Sequence, residues 1–125
     1  MPNSEESSEA EETEAILDYR IGVIEATIRR ARNIPDKRKA ELLTLLAGLK
    51  SELENLSQTH SEEAASITHF ADASAHEVSR TKKNPRLAST ALDGLRLSIE
   101  GLEESHPAVF GIANRYATAL SNMGI

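Results

Sequence analysis

The chain has 125 residues, a length that suits one domain, and a net charge of −6. That acid excess argues against duplex DNA as a partner, because phosphate contacts supply most of such affinity. With no cysteine, disulfides and thiolate metal sites are excluded and a reducing cytoplasm fits; with 3% aromatics, a core must be built from Leu, Ile, Val and Ala.

The opening stretch, MPNSEESSEAEETEA, carries six glutamates and no positive charge. It resembles neither a secretory signal nor a transit peptide. Residues 1–10 offer almost nothing to bury and are expected to form a disordered acidic tail, ahead of a single helical domain at 11–125. No apolar run reaches the roughly 18 residues that span a bilayer, so no transmembrane segment is expected.

Periodicity begins with Leu17, Ile21, Ile24, Ile28 and Ala31, which step by 4, 3, 4, 3 as a helix–helix seam does. Asn33 and Pro35 interrupt it. Leu42, Leu46, Leu49, Leu53 and Leu56 repeat the steps, widened by Leu43 and Leu45. Thr59 with Glu62 reads as a capping box, or Ser61 as a simple N-cap, opening a third helix with Ile67, Phe70, Ala71 and Val78. Asn84 caps the fourth helix, with Pro85 at its first position; Ala88, Leu92, Leu95, Ile99 and Leu102 form its seam. Ser105 or His106 repeats the device ahead of Pro107. Val109, Ala113, Tyr116, Leu120 and Met123 make the fifth helix, with Gly124 placed to end it. Nothing alternates as a strand would. The predicted fold is all-α: an antiparallel up-and-down bundle or elongated helical hairpins, about five helices in all. Gly94, Ser98 and Gly101 share one stripe of the fourth helix, where a second backbone is expected to approach closely, within the fold or in a dimer.

Up-and-down order places the first and third connections at one end. Arg29, Arg30, Arg32, Lys37, Arg38 and Lys39 surround the first; Arg80, Lys82, Lys83 and Arg86 surround the third. Glu52, Glu54, Glu62, Glu63, Glu100, Glu103 and Glu104 collect at the other end. Such a basic tip suits an anionic partner (RNA, an acidic lipid surface or an acidic protein segment) or the acidic part of another copy. Cations at helix C-termini are also simply stabilising, which accounts for Arg29, Arg30, Arg32, Arg80 and Lys82. It does not account for Lys37, Arg38 and Lys39, which fall in the first turn of a helix.

Candidate chemistry is sparse. His69, Asp72 and His76 share one helix face and suit a divalent metal. Two histidines seven residues apart nevertheless lie about 10 Å apart along the axis, and the face points away from Ile67, Ala71 and Val78. HEVSR, residues 76–80, begins like the zinc-protease HExxH motif, but Arg80 replaces the second ligand. Glu103 and His106 make a single Glu-x-x-His, which di-iron bundles use twice. Ser105 beside His106 lacks the geometry of a catalytic pair. No enzyme and no cofactor is expected.

Glu103, Ser105, His106 and Pro107, followed by the closing Ala119-Leu120-Ser121-Asn122-Met123-Gly124-Ile125, resemble an uncharacterised bacterial family, the domain of unknown function numbered four-four-zero-four. SAHEVSR and NPRL are similar as well. The likeness is good over residues 74–125 and loose from residue 14. It implies a small bacterial helical protein whose terminal segment acts as a unit, and it implies no activity or catalytic residue. Taken together, a cytoplasmic helical interaction or scaffolding protein is expected. Thin leucine seams, partly uncovered in a monomer, point to self-association and a homo-oligomer or protein partner. The alternative is a bundle that binds a metal or small ligand.

Overall fold

The computed structural model describes residues 4–123, with side chains from residue 14 onward. Five α-helices follow in order: α1 Ser4–Arg30, α2 Asp36–Ser57, α3 Ser61–Ser79, α4 Pro85–Ile99 and α5 Pro107–Ser121. A 3-10 turn, Glu100–Leu102, prolongs α4, and there is no strand among the described residues. α1 is helical from Ser4, inside the stretch expected as a tail. Residues 1–3 and the side chains before residue 14 lie outside the described residues, as do Gly124 and Ile125.

Short connections force consecutive helices to double back. α3 packs on α4, α4 on α5, α5 on α2 and α2 on α3, which closes a four-helix ring; α1 lies outside it, against α2 and α3. The fold is therefore a bundle and not a set of extended hairpins. One cluster fills it. Ile21, Ile24 and Ile28 of α1, Leu42, Leu46, Leu49 and Leu53 of α2, Ile67 of α3, Leu95 of α4 and Leu120 of α5 are fully buried. The leucine seams of α2 are thus covered within one chain, against the expectation that they leave apolar surface open. They are covered because α2 packs on three helices at once and not on one partner.

Tyr116 is the largest fully buried side chain. Its hydroxyl donates to the Ala71 carbonyl of α3 at 2.9 Å, tying the diagonal of the ring, and burial pushes its phenol well above the ordinary tyrosine range. One helix contact depends on glycine: a Cβ on Gly94 would run into the Phe70 ring, whereas one on Gly48 would meet only the movable tip of the Ile112 side chain. The close approach expected at the fourth-helix stripe is therefore real at Gly94, made by a ring of α3 and not by a backbone. Gly101 has open space, and Ser98 turns back to the Leu95 carbonyl at 2.6 Å.

Capping is partly as predicted. Asn84 Oδ1 accepts from the Leu87 amide at 3.2 Å, with Pro85 opening α4. The start of α3 differs: His60 occupies the N-cap position, with no side-chain cap bond from it, from Thr59 or from Ser61. His106 holds the same position ahead of Pro107, again with no side-chain cap bond. In both cases the imidazole is engaged elsewhere. Its Nδ1 shares a hydrogen bond with the hydroxyl just before it, Thr59 at 2.7 Å and Ser105 at 3.0 Å.

Candidate functional site: a basic pole built from two bends

The α1–α2 and α3–α4 bends meet at one end of the bundle. Asn33 Nδ2, in the first bend, donates to the Val78 carbonyl in the last turn of α3 at 3.0 Å. Carbonyls in a helix's last turn have no intrahelical donor, so this bond satisfies one of them and ties the bends together. Sequence reading treated Asn33 only as an interruption. Its partner lies 45 residues away, beyond the reach of any local pattern.

Each cation of the predicted tip can now be placed. Lys39 Nζ donates to the Arg29 carbonyl at 2.8 Å. A lysine unfavourable to its own helix start therefore caps the end of the preceding helix, where positive charge is stabilising. Arg38 pairs with Glu41 at 3.1 Å, Arg29 with Glu25 at 3.4 Å and Arg80 with Glu77 at 2.9 Å. Arg30, Arg32, Lys37, Lys82, Lys83 and Arg86 have no ion-pair partner among the described residues, and all six are exposed.

Between the bends lies a shallow open saddle of about 300 Å³, lined by Thr27, Arg30, Ala31, His76, Ser79, Arg80 and Thr81. Two guanidinium groups, an imidazole and three hydroxyl side chains share it. Ser79 Oγ is buried there without a hydrogen-bond partner. Planar guanidinium groups suit carboxylates and phosphates, which accept two parallel hydrogen bonds.

The metal candidates are not brought together. His76 faces the saddle, His69 is exposed with its ring edge-on to Phe70 at 5.3 Å, and Asp72 is half-buried between them in sequence. Among the described residues no three His, Asp or Glu side chains gather as a metal site would need. Glu77 of HEVSR is engaged with Arg80. Glu103 lines a groove beside Phe110 and Asn114, while His106 turns to Ser105.

The opposite pole holds a feature that sequence reading missed. The His60 and His106 rings meet edge to face, with centroids 4.8 Å apart. Their backbones match closely, at φ −137°, ψ 62° and φ −138°, ψ 66°. The signal was there: Thr-His and Ser-His dipeptides immediately precede two helices. Glu62, Glu63, Glu100, Glu103 and Glu104 stand exposed on the segments that reach this pole.

A smaller charge cluster joins α1 to α2. Lys50 Nζ meets Asp18 at 2.9 Å. This hydrogen bond holds the Asp18 carboxyl below its ordinary value and the Lys50 ammonium above its own. Burial, then the neighbouring Asp18, raises the Glu54 carboxyl.

No helix of the described residues is long and apolar enough to cross a membrane. No curated protein and no solved structure matches the chain. A family model described as Domain of unknown function (DUF4404) matches residues 42–125. That span takes in most of α2, all of α3, α4 and α5, the α3–α4 bend and the His60–His106 contact. α1 and its basic end precede the matched span, and the chain belongs to this DUF4404 family.

Proposed function

We propose that this protein is a self-associating helical interaction module, not an enzyme, whose basic pole engages an acidic protein segment in the cytoplasm. One observation carries the reading. The Asn33–Val78 hydrogen bond draws two bends together, and Arg30, Arg32, Lys37, Lys82, Lys83 and Arg86 on and beside those bends are exposed and without an ion-pair partner among the described residues. The body beyond the pole is acidic, since the whole chain has net charge −6. A long polyanion is repelled wherever it leaves the pole, whereas a short acidic segment touches the pole alone. Carboxylates of such a segment find the Arg30 and Arg80 guanidinium groups in the saddle.

Titration with fluorescent poly-glutamate peptides tests this, with a heparin arm for comparison. Binding is expected to weaken steeply with salt and to be lost in a Lys82→Glu/Lys83→Glu variant that keeps wild-type helicity. Lys39→Glu is not a fair control, because Lys39 also caps α1. Absence of peptide binding at low salt, or binding indifferent to the reversal, overturns the reading. Heparin bound in preference to peptide moves the partner class to polyanions.

A further inference from the structure

Three of the five large hydrophobic side chains left exposed among the described residues lie on α1, and their sequence is that of a second seam. Ile16 is 57% exposed, Tyr19 75% and Val23 38%. With the half-buried Ala26 they step by 3, 4, 3, on the side of α1 away from Leu17, Ile21, Ile24 and Ile28. A helix with two such stripes is built to contact on both sides. Gly22 lies beside the outer stripe, and a Cβ there would meet nothing within 4 Å. An exposed glycine inside a helix costs up to about 1 kcal/mol relative to alanine, and nothing within one chain makes use of it.

We infer that this face pairs with the same face of a second copy, α1 against α1 and antiparallel, around a two-fold axis beside position 21. This rests on the self-association half of the reading above. Charge decides both occupant and direction. The N-terminal half of α1 carries glutamate at 5, 6, 9, 11, 12 and 14, and its C-terminal end carries Arg29 and Arg30, with Arg32 just beyond. A parallel pair sets glutamate beside glutamate and arginine beside arginine. An antiparallel pair sets each acidic half along a basic end, and flanking charges of this kind fix orientation in coiled coils. One register satisfies every position together. Ile16 meets the partner's Ala26, Tyr19 meets the partner's Val23, and position 12, a glutamate, lies level with the partner's Arg30. Gly22 falls next to the axis, where the two backbones approach most closely.

The native chain has no cysteine, so cross-linking reports the register directly. Sedimentation of the full chain is expected to show a dimer. Tyr19→Glu/Val23→Glu is expected to raise its dissociation constant by about tenfold or more, since it buries charge in the seam, with helicity unchanged because both sites are exposed. Under mild oxidation, Ile16→Cys/Ala26→Cys is expected to form covalent dimers and Ile16→Cys alone to form few. A monomeric wild-type chain overturns the inference and the self-association reading together. A dimer untouched by Tyr19→Glu/Val23→Glu overturns this interface and leaves self-association standing on another face. Efficient cross-linking of Ile16→Cys alone overturns the antiparallel register.

Discussion

Tyr116 shows how much one side chain contributes here. In a chain with 3% aromatics it fills the centre of the ring and donates the hydrogen bond that joins α5 to α3. Tyr116→Phe keeps the ring and removes the donor, so a loss of about 1 kcal/mol in denaturant-derived stability is expected. The glycines make a sharper pair. Gly111→Ala adds a methyl where nothing lies within 4 Å and restricts the unfolded chain, so it is expected to stabilise by about 0.5–1 kcal/mol. Gly94→Ala gains the same helical preference but drives its methyl into the Phe70 ring. Overpacking of that kind costs about 1–3 kcal/mol, and a net loss is expected. Parallel urea melts of the two variants decide the matter, and equal shifts would refute it. No sequence pattern distinguishes these two glycines, since both sit inside helices. Only the neighbour across the packing contact does so.

At the scale of elements, four of the five seams were legible because burial repeats with the helical period and leucine, isoleucine and alanine mark it plainly; α3 was fainter, since it buries Thr68 and Ser74 among its apolar positions. Boundaries set by Pro35, Asn84–Pro85 and Pro107 were equally plain, since proline cannot continue a preceding helix. The start of α3 was not. Thr59, Ser61 and Glu62 form a credible local capping signal, but Thr59 bonds the His60 ring, which itself rests on a histidine from another connection. The α1–α2 seam carries the prediction at this level. Burial raises the Glu54 carboxyl, so the folded state binds its proton more readily than the unfolded chain does. This group's contribution therefore becomes more favourable as pH falls through the raised value, and charged Glu54 opposes folding near neutrality. Glu54→Gln is expected to raise the melting temperature at about pH 7, with the difference closing as pH falls through the raised carboxyl value and on through the ordinary carboxylate range. Asp18 works in the opposite sense. Its lowered value gives stability above the ordinary carboxylate range that is lost as pH falls through the folded value. A variant less stable than wild type at neutral pH would contradict the assignment.

Across the whole molecule, the up-and-down order turns a scattered set of lysines and arginines into one basic pole and gathers acidic residues at the other. Like charges crowded at one end repel, and the unpaired Lys82 and Lys83 are the simplest to neutralise. Lys82→Gln/Lys83→Gln is expected to raise the melting temperature at low ionic strength. The gain should vanish near about 1 M salt, where screening acts within about 3 Å. A salt-independent gain would mean that local helix preference and not pole repulsion is responsible. The amino-acid order by itself determined the helices, their seams, their proline-set ends and the family, because each is written in local spacing or contiguous motif. It also placed the basic residues on two connections. That those connections touch was decided by the bundle, through Asn33 and Val78, as were the burial of the α2 leucines on three sides and the apolar face left open on α1. Contacts between residues 45 apart depend on how helices pack around one another, and no periodicity along the chain records which neighbour a face will meet.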